Sequence, residues 1–379
     1  MYRDDFVRRM QSPGGDRRTG RSMHLDIPLL LILAALCLSG LFVLYSASGQ
    51  SLYLVKRQAV FMLFGFIAMI TVAQFPVRFW ERWAILFYLI GLFSLVAVIF
   101  FGVGAKGAQR WLDLGVTRFQ PSELMKVVVP MTISAFLGKR YIPPSLQHIF
   151  VSLVLILLPV LLIVNQPDLG TAILVFASGF FVLFLAGLRK RYLVSAFLLA
   201  MAAIPSLWVF VMRDYQKQRV LTLLSPEDDK LGAGWNIIQS TTAIGSGGLT
   251  GKGWMQGTQS QLNFLPESHT DFIIAVLAEE FGLIGVLSLC ALYFIFVGRC
   301  MLIALNSQSQ FGRLIAGSLS LTFFIYIFVN MSMVSGILPV VGVPLPLISY
   351  GGTSIVALFL GFGILMAIST EPKRIRMEL

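Results

Sequence analysis

Apolar runs of about 18 to 25 residues recur along this chain of 379 residues, each long enough for a helix to cross the roughly 30 Å hydrocarbon layer of a bilayer. A backbone surrounded by lipid has to satisfy its own polar groups, so an ordinary soluble fold is excluded. The runs fall at about 25–46, 54–75, 80–101, 121–138, 146–166, 169–188, 192–212, 271–298, 314–338 and 346–369. They predict an all-α, polytopic integral membrane protein of about ten transmembrane helices, with a large extracytoplasmic loop over 213–270 between helices 7 and 8. Composition agrees: 57% of residues are hydrophobic and 12% charged, where soluble domains carry about a quarter charged residues. The expected organisation is a basic, disordered cytoplasmic tail over 1–24, one transmembrane domain over 25–370 and a short cytoplasmic tail over 371–379. The first apolar run, 27–45, is too long for a secretory signal peptide and lacks a small-residue cleavage site, so it reads as an uncleaved anchor.

The formal charge of +11 does not point to nucleic acid, because the basic residues gather at helix ends. With ten spans both termini share one side, and that side, with its loops, holds 18 of the 29 Lys and Arg residues. The positive-inside rule makes it cytoplasmic. The large loop then faces outward, together with 102–123 (GVGAKGAQRWLDLGVTRFQPSE) and 339–354 (PVVGVPLPLISYGGTS). In the latter, Pro344, Pro346, Gly351 and Gly352 predict irregular backbone lining a cavity at membrane depth.

Polar chemistry concentrates in 235–280, a stretch rich in glycine, hydroxyl, amide and ionisable residues. Eight glycines lie over 232–257, where average usage gives about two, so this backbone is expected to present N–H groups to phosphate or sugar. Nucleotide motifs fail: five residues before Gly251 stands Ser246, and Gly253 follows Lys252, so Walker A is not met. No GxGxxG occurs there either. Cys37, Cys290 and Cys300 have no metal or disulfide spacing and read as packing residues, while His24, His148 and His269 are far apart in sequence.

Ionisable residues in or beside spans each need a partner or a purpose. Glu123 and Lys126 stand three apart on one helical face, as a structural ion pair or as part of a site. Asp168, in NQPDLGT, complements a helix N-terminus or serves a site. Asp271 follows Ser268, His269 and Thr270 where polar loop meets apolar helix. Ser268 with Asp271 has the spacing of a capping box; alternatively the carboxylate is a general base at the membrane surface. Glu279 and Glu280, two turns on, read as packing or hydrogen-bonding groups. Arg110, Arg118, Arg219 and Lys252 are outward-facing candidates to hold a diphosphate, or else headgroup anchors.

FQPSELMK, NQPDLGT, QSTTAIGSGGLTGKGWMQGTQSQLNFLPESHTDF followed by AEEFG, and PLPLISYGGTS together resemble the shape, elongation, division and sporulation (SEDS) family. The resemblance runs from about residue 24 to 370, in the family's order and with its ten-helix topology, and YQKQRV and GILPVVGVPLPLISYGG are most similar to the elongation branch. It implies a peptidoglycan glycosyltransferase of the inner membrane that polymerises lipid II on the periplasmic face, alongside a class B penicillin-binding protein and other elongation-complex membrane proteins. The family's essential loop aspartate falls on Asp271, its paired Glu and Lys on Glu123 and Lys126, and its QPD aspartate on Asp168, without departure. The Arg-rich tail lies outside the family pattern.

In such a reaction the 4-hydroxyl of an acceptor sugar attacks the anomeric carbon of an undecaprenyl-diphosphate-linked donor, with inversion. Asp271 would accept the hydroxyl proton, and Arg110 and Lys126, with Arg219 after them, would stabilise the departing diphosphate, Lys252 being a further substrate-binding candidate. The sequence requires no cofactor and offers no dedicated cation cage, though a divalent ion such as Mg²⁺ is compatible with a diphosphate. A flippase for lipid-linked precursor is a second reading, since charge within a polytopic bundle and broken helices also describe transporters. Polar residues gathered on one face, without an obvious internal repeat, favour the enzyme. A non-catalytic elongation scaffold is a third reading, acting through short, simple cytoplasmic ends.

Overall fold

The computed structural model describes residues 24–105, 108–113, 115, 118–212, 214–229, 232–261 and 267–372. The expected basic tails fall almost entirely outside these residues. Helices α1 (Ile27–Ala47), α2 (Leu52–Ala73) and α3 (Val77–Phe101) lead into a small antiparallel sheet, β1 (Val103–Ala105), β2 (Ala108–Asp113) and β3 (Arg118–Phe119). Then come α4 (Pro121–Leu137), α5 (Leu146–Asn165), α6 (Leu169–Leu185) and α7 (Lys190–Ser206), which runs on into a π turn at Leu207–Val211. The large loop holds α8 (Asp214–Leu224), a 3₁₀ turn, α9 (Ala233–Gly247) and the short α10 (Thr258–Gln261). The chain closes with α11 (Ile273–Asn306), α12 (Gln310–Val334) and α13 (Gly352–Ser369).

Each expected apolar run holds a helix, and the protein is a multi-pass membrane protein. Among the described residues seven helices are long and apolar enough to cross a bilayer: α1, α2, α3, α5, α11, α12 and α13. The runs at 121–138, 169–188 and 192–212 give 17-residue helices instead, α4, α6 and α7. At 1.5 Å per residue such a helix is about 26 Å long, a little short of the hydrocarbon layer. For α4 the reason is visible in its surroundings. Fourteen of its residues are buried, Glu123 and Lys126 included, so protein and not lipid meets its polar side chains. Helix α3 is the opposite case, turning Phe93, Phe100 and Phe101 outward as a lipid-facing helix does.

Two polar devices join helices that are distant in sequence. Asp26 caps α1 by accepting the Leu29 amide at 3.0 Å, pairs with Arg299 of α11 at 2.6 Å and accepts the Ser369 hydroxyl at the end of α13. Burial pushes this carboxyl up, but the hydrogen bonds from Ser369, Arg299 and Leu29 outweigh it and hold the pKa below the ordinary carboxylate value. The second device lies in α11, which breaks at Gly282 (φ 63°, ψ −161°), a backbone that side chains rarely adopt. The glycine-rich loop inserts there: Lys252 and Gly253 amides donate to the Glu279 and Glu280 carbonyls at 3.0 Å each, and Leu283 donates to Gly248 at 3.0 Å. A Cβ on Gly251 would stand 2.1 Å from the Glu280 carbonyl oxygen. The loop's glycines here serve close approach of two backbones.

Candidate functional site

Asp271 lies in a turn between the large loop and α11, and three contacts from elsewhere hold that turn. Ser268 Oγ donates to the Ala47 carbonyl at the end of α1 (3.0 Å), the Tyr350 amide donates to the His269 carbonyl (2.9 Å), and Asn330 Nδ2 of α12 donates to the Asp271 carbonyl (2.9 Å). Helix α11 starts at Ile273 with Phe272 as its N-cap, so Ser268 and Asp271 precede it and do not form a capping box. The carboxylate faces Gly342 (φ 74°), where a Cβ would lie 3.6 Å from Asp271 Oδ2.

Gly342 borders a cavity of about 670 Å³ walled by α2, the sheet, α4, α6, α12 and the irregular segment before α13. Of the four residues expected here, Pro344, Gly351 and Gly352 belong to this wall, while Pro346 stands outside it with its carbonyl accepting from the Tyr293 hydroxyl at 2.6 Å. Four cations line it, Arg57, Arg110, Arg118 and Lys126, against three carboxylates, Asp113, Glu123 and Asp168. The surface is therefore net basic. Of the sequence-predicted residues, Arg110, Arg118, Glu123, Lys126 and Asp168 are brought together here, and Asp271 is adjacent through Gly342 without being part of the lining.

The cations are not equivalent. Lys126 Nζ is 2.7 Å from Glu123 Oε2 and lies 4.3 Å from the centre of the Tyr326 ring, so its charge is already met from two sides in a buried setting. Arg110 donates to the Pro167 carbonyl and stands 3.9 Å from Asp168 Oδ1. Asp168 caps α6 through the Thr171 amide at 3.3 Å and accepts Gln120 Nε2 at 2.9 Å. Helix capping and a place in the cavity wall are thus one and the same arrangement for Asp168. Arg57, from α2, and Arg118, from β3, have no ion pair within 4.0 Å among the described residues. Asp113 is the cross-strand neighbour of Arg118, and its carboxylate accepts the Gly115 amide at 2.8 Å. Tyr350 adds a neutral donor: burial pushes its phenol up, against the opposing charge of Arg57.

Two candidates stand apart from the lining. Lys252 gives its ammonium to Glu279 Oε1 and to Thr258 Oγ1, both at 2.8 Å, and the same carboxylate oxygen accepts the Thr258 and Gln259 amides at 2.7 and 3.0 Å. Its charge is engaged in holding the loop against α11. Arg219 sits on α8, also outside the cavity wall. The glycine-rich backbone, expected to face phosphate, instead fills the break in α11, because the carbonyls freed by Gly282 need its amides. Two residues of this region carry no signal in the sequence: Arg57, which reads as one more basic residue at a helix end, and Asn330, a lone amide in an apolar run.

No group of three or more His, Cys, Asp or Glu side chains suited to a metal occurs among the described residues. Glu123 and Asp168 are engaged by Lys126, Gln120 and the Thr171 amide, which leaves a divalent ion few protein ligands in this wall. An ion held chiefly by phosphate and water fits such a surface.

Comparison with known proteins bears on most of the chain. The family model described as cell cycle protein, FtsW–RodA–SpoVE, matches residues 27–374. The chain is 56% identical over 351 residues to the peptidoglycan glycosyltransferase MrdB of Escherichia coli (strain K12), covering 93% of this chain and 95% of that protein. To the probable peptidoglycan glycosyltransferase FtsW of Geobacter sulfurreducens (strain DL-1 / KN400) it is 38% identical over 361 residues, with 92% and 96% covered. Among solved structures it superposes on a chain from a peptidoglycan synthase complex, described for the coordination of polymerization and crosslinking, with a TM-score of 0.81 at 31% identity, covering 91% and 97%. It also superposes on the crystal structure of the rod shape determining protein RodA of Thermus thermophilus, with a TM-score of 0.69 at 28% identity, covering 91% and 96%.

Proposed function

The chain belongs to the FtsW–RodA–SpoVE family and is a peptidoglycan glycosyltransferase of cell elongation, and from that premise we propose that it polymerises lipid II with Asp271 as general base. The observation that carries the proposal is the convergence of four cations on one cavity with the Asp271 carboxylate beside its Gly342 wall. Polymerisation needs two things at once: stabilisation of a leaving diphosphate, and removal of a proton from an incoming sugar hydroxyl. A net basic wall answers the first need. A carboxylate at the edge of that wall answers the second.

Within the wall, Arg57 and Arg118 are the groups best suited to take up phosphate, since their guanidinium donors are not committed to a carboxylate among the described residues. Lys126 and Arg110 contribute field while keeping Glu123 and Asp168 in place. The diphosphate charge develops on departure, so preorganised cations act most strongly at that moment. A Mg²⁺ ion bound to the diphosphate would share this task by neutralising charge, with protein contacts limited to one or two carboxylates.

Lipid tails on both substrates suit a cavity between membrane helices. Ten crossings, cytoplasmic termini and a cavity on the periplasmic face of the inner membrane complete the reading, supported by the charge census and by Arg57, Arg110 and Arg118 all falling on the outward side. A class B penicillin-binding protein is the proposed partner, because the similar solved chain comes from a complex that polymerises and crosslinks. The test is lipid II polymerisation by the purified chain with that partner. Glycan ladders from the native complex, absent with Asp271→Asn at matched complex yield, are expected. Normal ladders from Asp271→Asn would remove the general base, and no ladders from the native complex would remove the activity.

A further inference from the structure

We propose that Asn330 is a positioning residue for the transfer: its amide ties the Asp271 backbone to the cavity wall and thereby sets where the carboxylate stands. The inference rests on the reading of Asp271 as general base. Asn330 lies in α12 and is fully buried, at 0% exposure. A primary amide inside an apolar helix is unfavourable unless hydrogen bonded, so what it bonds to is informative. Its Nδ2 donates to two backbone carbonyls, Asp271 at 2.9 Å and Val343 at 2.7 Å. Both partners are acceptors, so only the NH₂ end of the amide can face them, and its orientation follows from chemistry.

The amide oxygen is buried and accepts no hydrogen bond among the described residues. An apolar residue of similar volume would take this donor from the Asp271 and Val343 carbonyls, so the amide both satisfies them and fixes where they stand. The Asn330 amide gives both donors to segments that border the cavity. Val343 lines the cavity, and a Cβ on Gly342 before it would stand 3.6 Å from Asp271 Oδ2. One amide thus fixes the two backbones against each other, while Gly342 leaves room for the carboxylate between them. Misplacement of a base by about 1 Å costs on the order of a hundredfold in rate, so this tether governs turnover more than binding.

The test uses the full chain in complex with its transpeptidase partner, reading lipid II binding, single-turnover rate and the acid limb of the rate against pH. Native protein is compared with Asn330→Leu, Asn330→Asp, Asp271→Asn and a control, Ser318→Ala. The control removes a buried α12 hydroxyl that donates to the Ser178 carbonyl at 2.6 Å, away from the cavity lining. Asn330→Leu is expected to lower the rate about a hundredfold, with lipid II affinity and binding stoichiometry within about twofold and the acid limb displaced. Asn330→Asp should lose as much, because it turns an oxygen toward two carbonyls. Ser318→Ala should keep both rate and limb. A native rate in Asn330→Leu beside an inactive Asp271→Asn would overturn the positioning role alone. So would a loss that merely tracks the binding-competent fraction with the limb unmoved. An active Asp271→Asn would instead remove the general base on which the inference rests.

Discussion

Lys126 shows how burial changes what a cation can do. Its ammonium is 2.7 Å from Glu123 and covered by the Tyr326 ring, so removing it strands a buried carboxylate. Breaking a buried pair costs about 3–5 kcal/mol, whereas removing both partners is often neutral. Lys126→Met is therefore expected to lower the thermal stability of the purified protein sharply, and Glu123→Gln with Lys126→Met to recover most of it. Arg57→Ala and Arg118→Ala strand no ion-pair partner among the described residues. Each is expected to leave stability native while raising KM for lipid II about tenfold, a charged hydrogen bond being worth about 1.5–3 kcal/mol. A native KM in both would return the diphosphate to Arg110 and Lys126. Glu123, Lys126, Asp168 and Asp271 were legible because charges in apolar sequence stand out. Arg57 was not, since a basic residue at a helix end looks the same whether it meets a headgroup or a cavity. Asn330 was not, because its partners lie 59 and 13 residues away.

Helix α11 carries the element-scale lesson. Apolar periodicity located it, but nothing local announces that it breaks at Gly282 or that the glycine-rich loop supplies the missing hydrogen bonds. Eight glycines suggested a phosphate cradle, and the actual constraint was backbone meeting backbone. Gly251→Val is expected to destabilise by at least 1–3 kcal/mol, the usual range for strained backbone, since Gly251 sits at φ 81° with the Glu280 carbonyl in the way. Thermal inactivation in detergent measures this; native stability would mean the loop is not seated in the break. The start of α13 differed for a related reason: the apolar run begins near 346, yet backbone over 335–351 stays irregular and walls the cavity before the helix forms at Gly352. At the other end of α11 the Asp26–Arg299–Ser369 junction predicts a pH effect. Because the folded pKa of Asp26 is depressed, its contribution is complete above the ordinary carboxylate value and is lost as pH falls through the folded one. Asp26→Asn should flatten the acid limb of the stability curve, and an unchanged limb would place the junction's strength elsewhere.

Across the whole molecule, the residues proposed for the chemistry come from segments far apart in sequence and meet at one cavity or, for Asp271, beside it, while α3 and its neighbours present aromatic and aliphatic side chains outward. The lipid-facing shell was legible from hydropathy, and motif resemblance supplied the chemistry. The contacts that bring α2, α4, α6, α12 and the loops to a common wall are long-range and had to be seen. Whether that wall works as proposed turns on separating binding from catalysis at Asp271. The decisive measurement is the single-turnover rate of lipid II coupling by Asp271→Asn in complex with its partner, alongside equilibrium binding of lipid II to the same preparation. Affinity within about twofold of native, with a rate lower by at least the 10²–10⁴-fold typical of general base catalysis, is the predicted result. A native rate, or a loss explained wholly by lost binding, would contradict it.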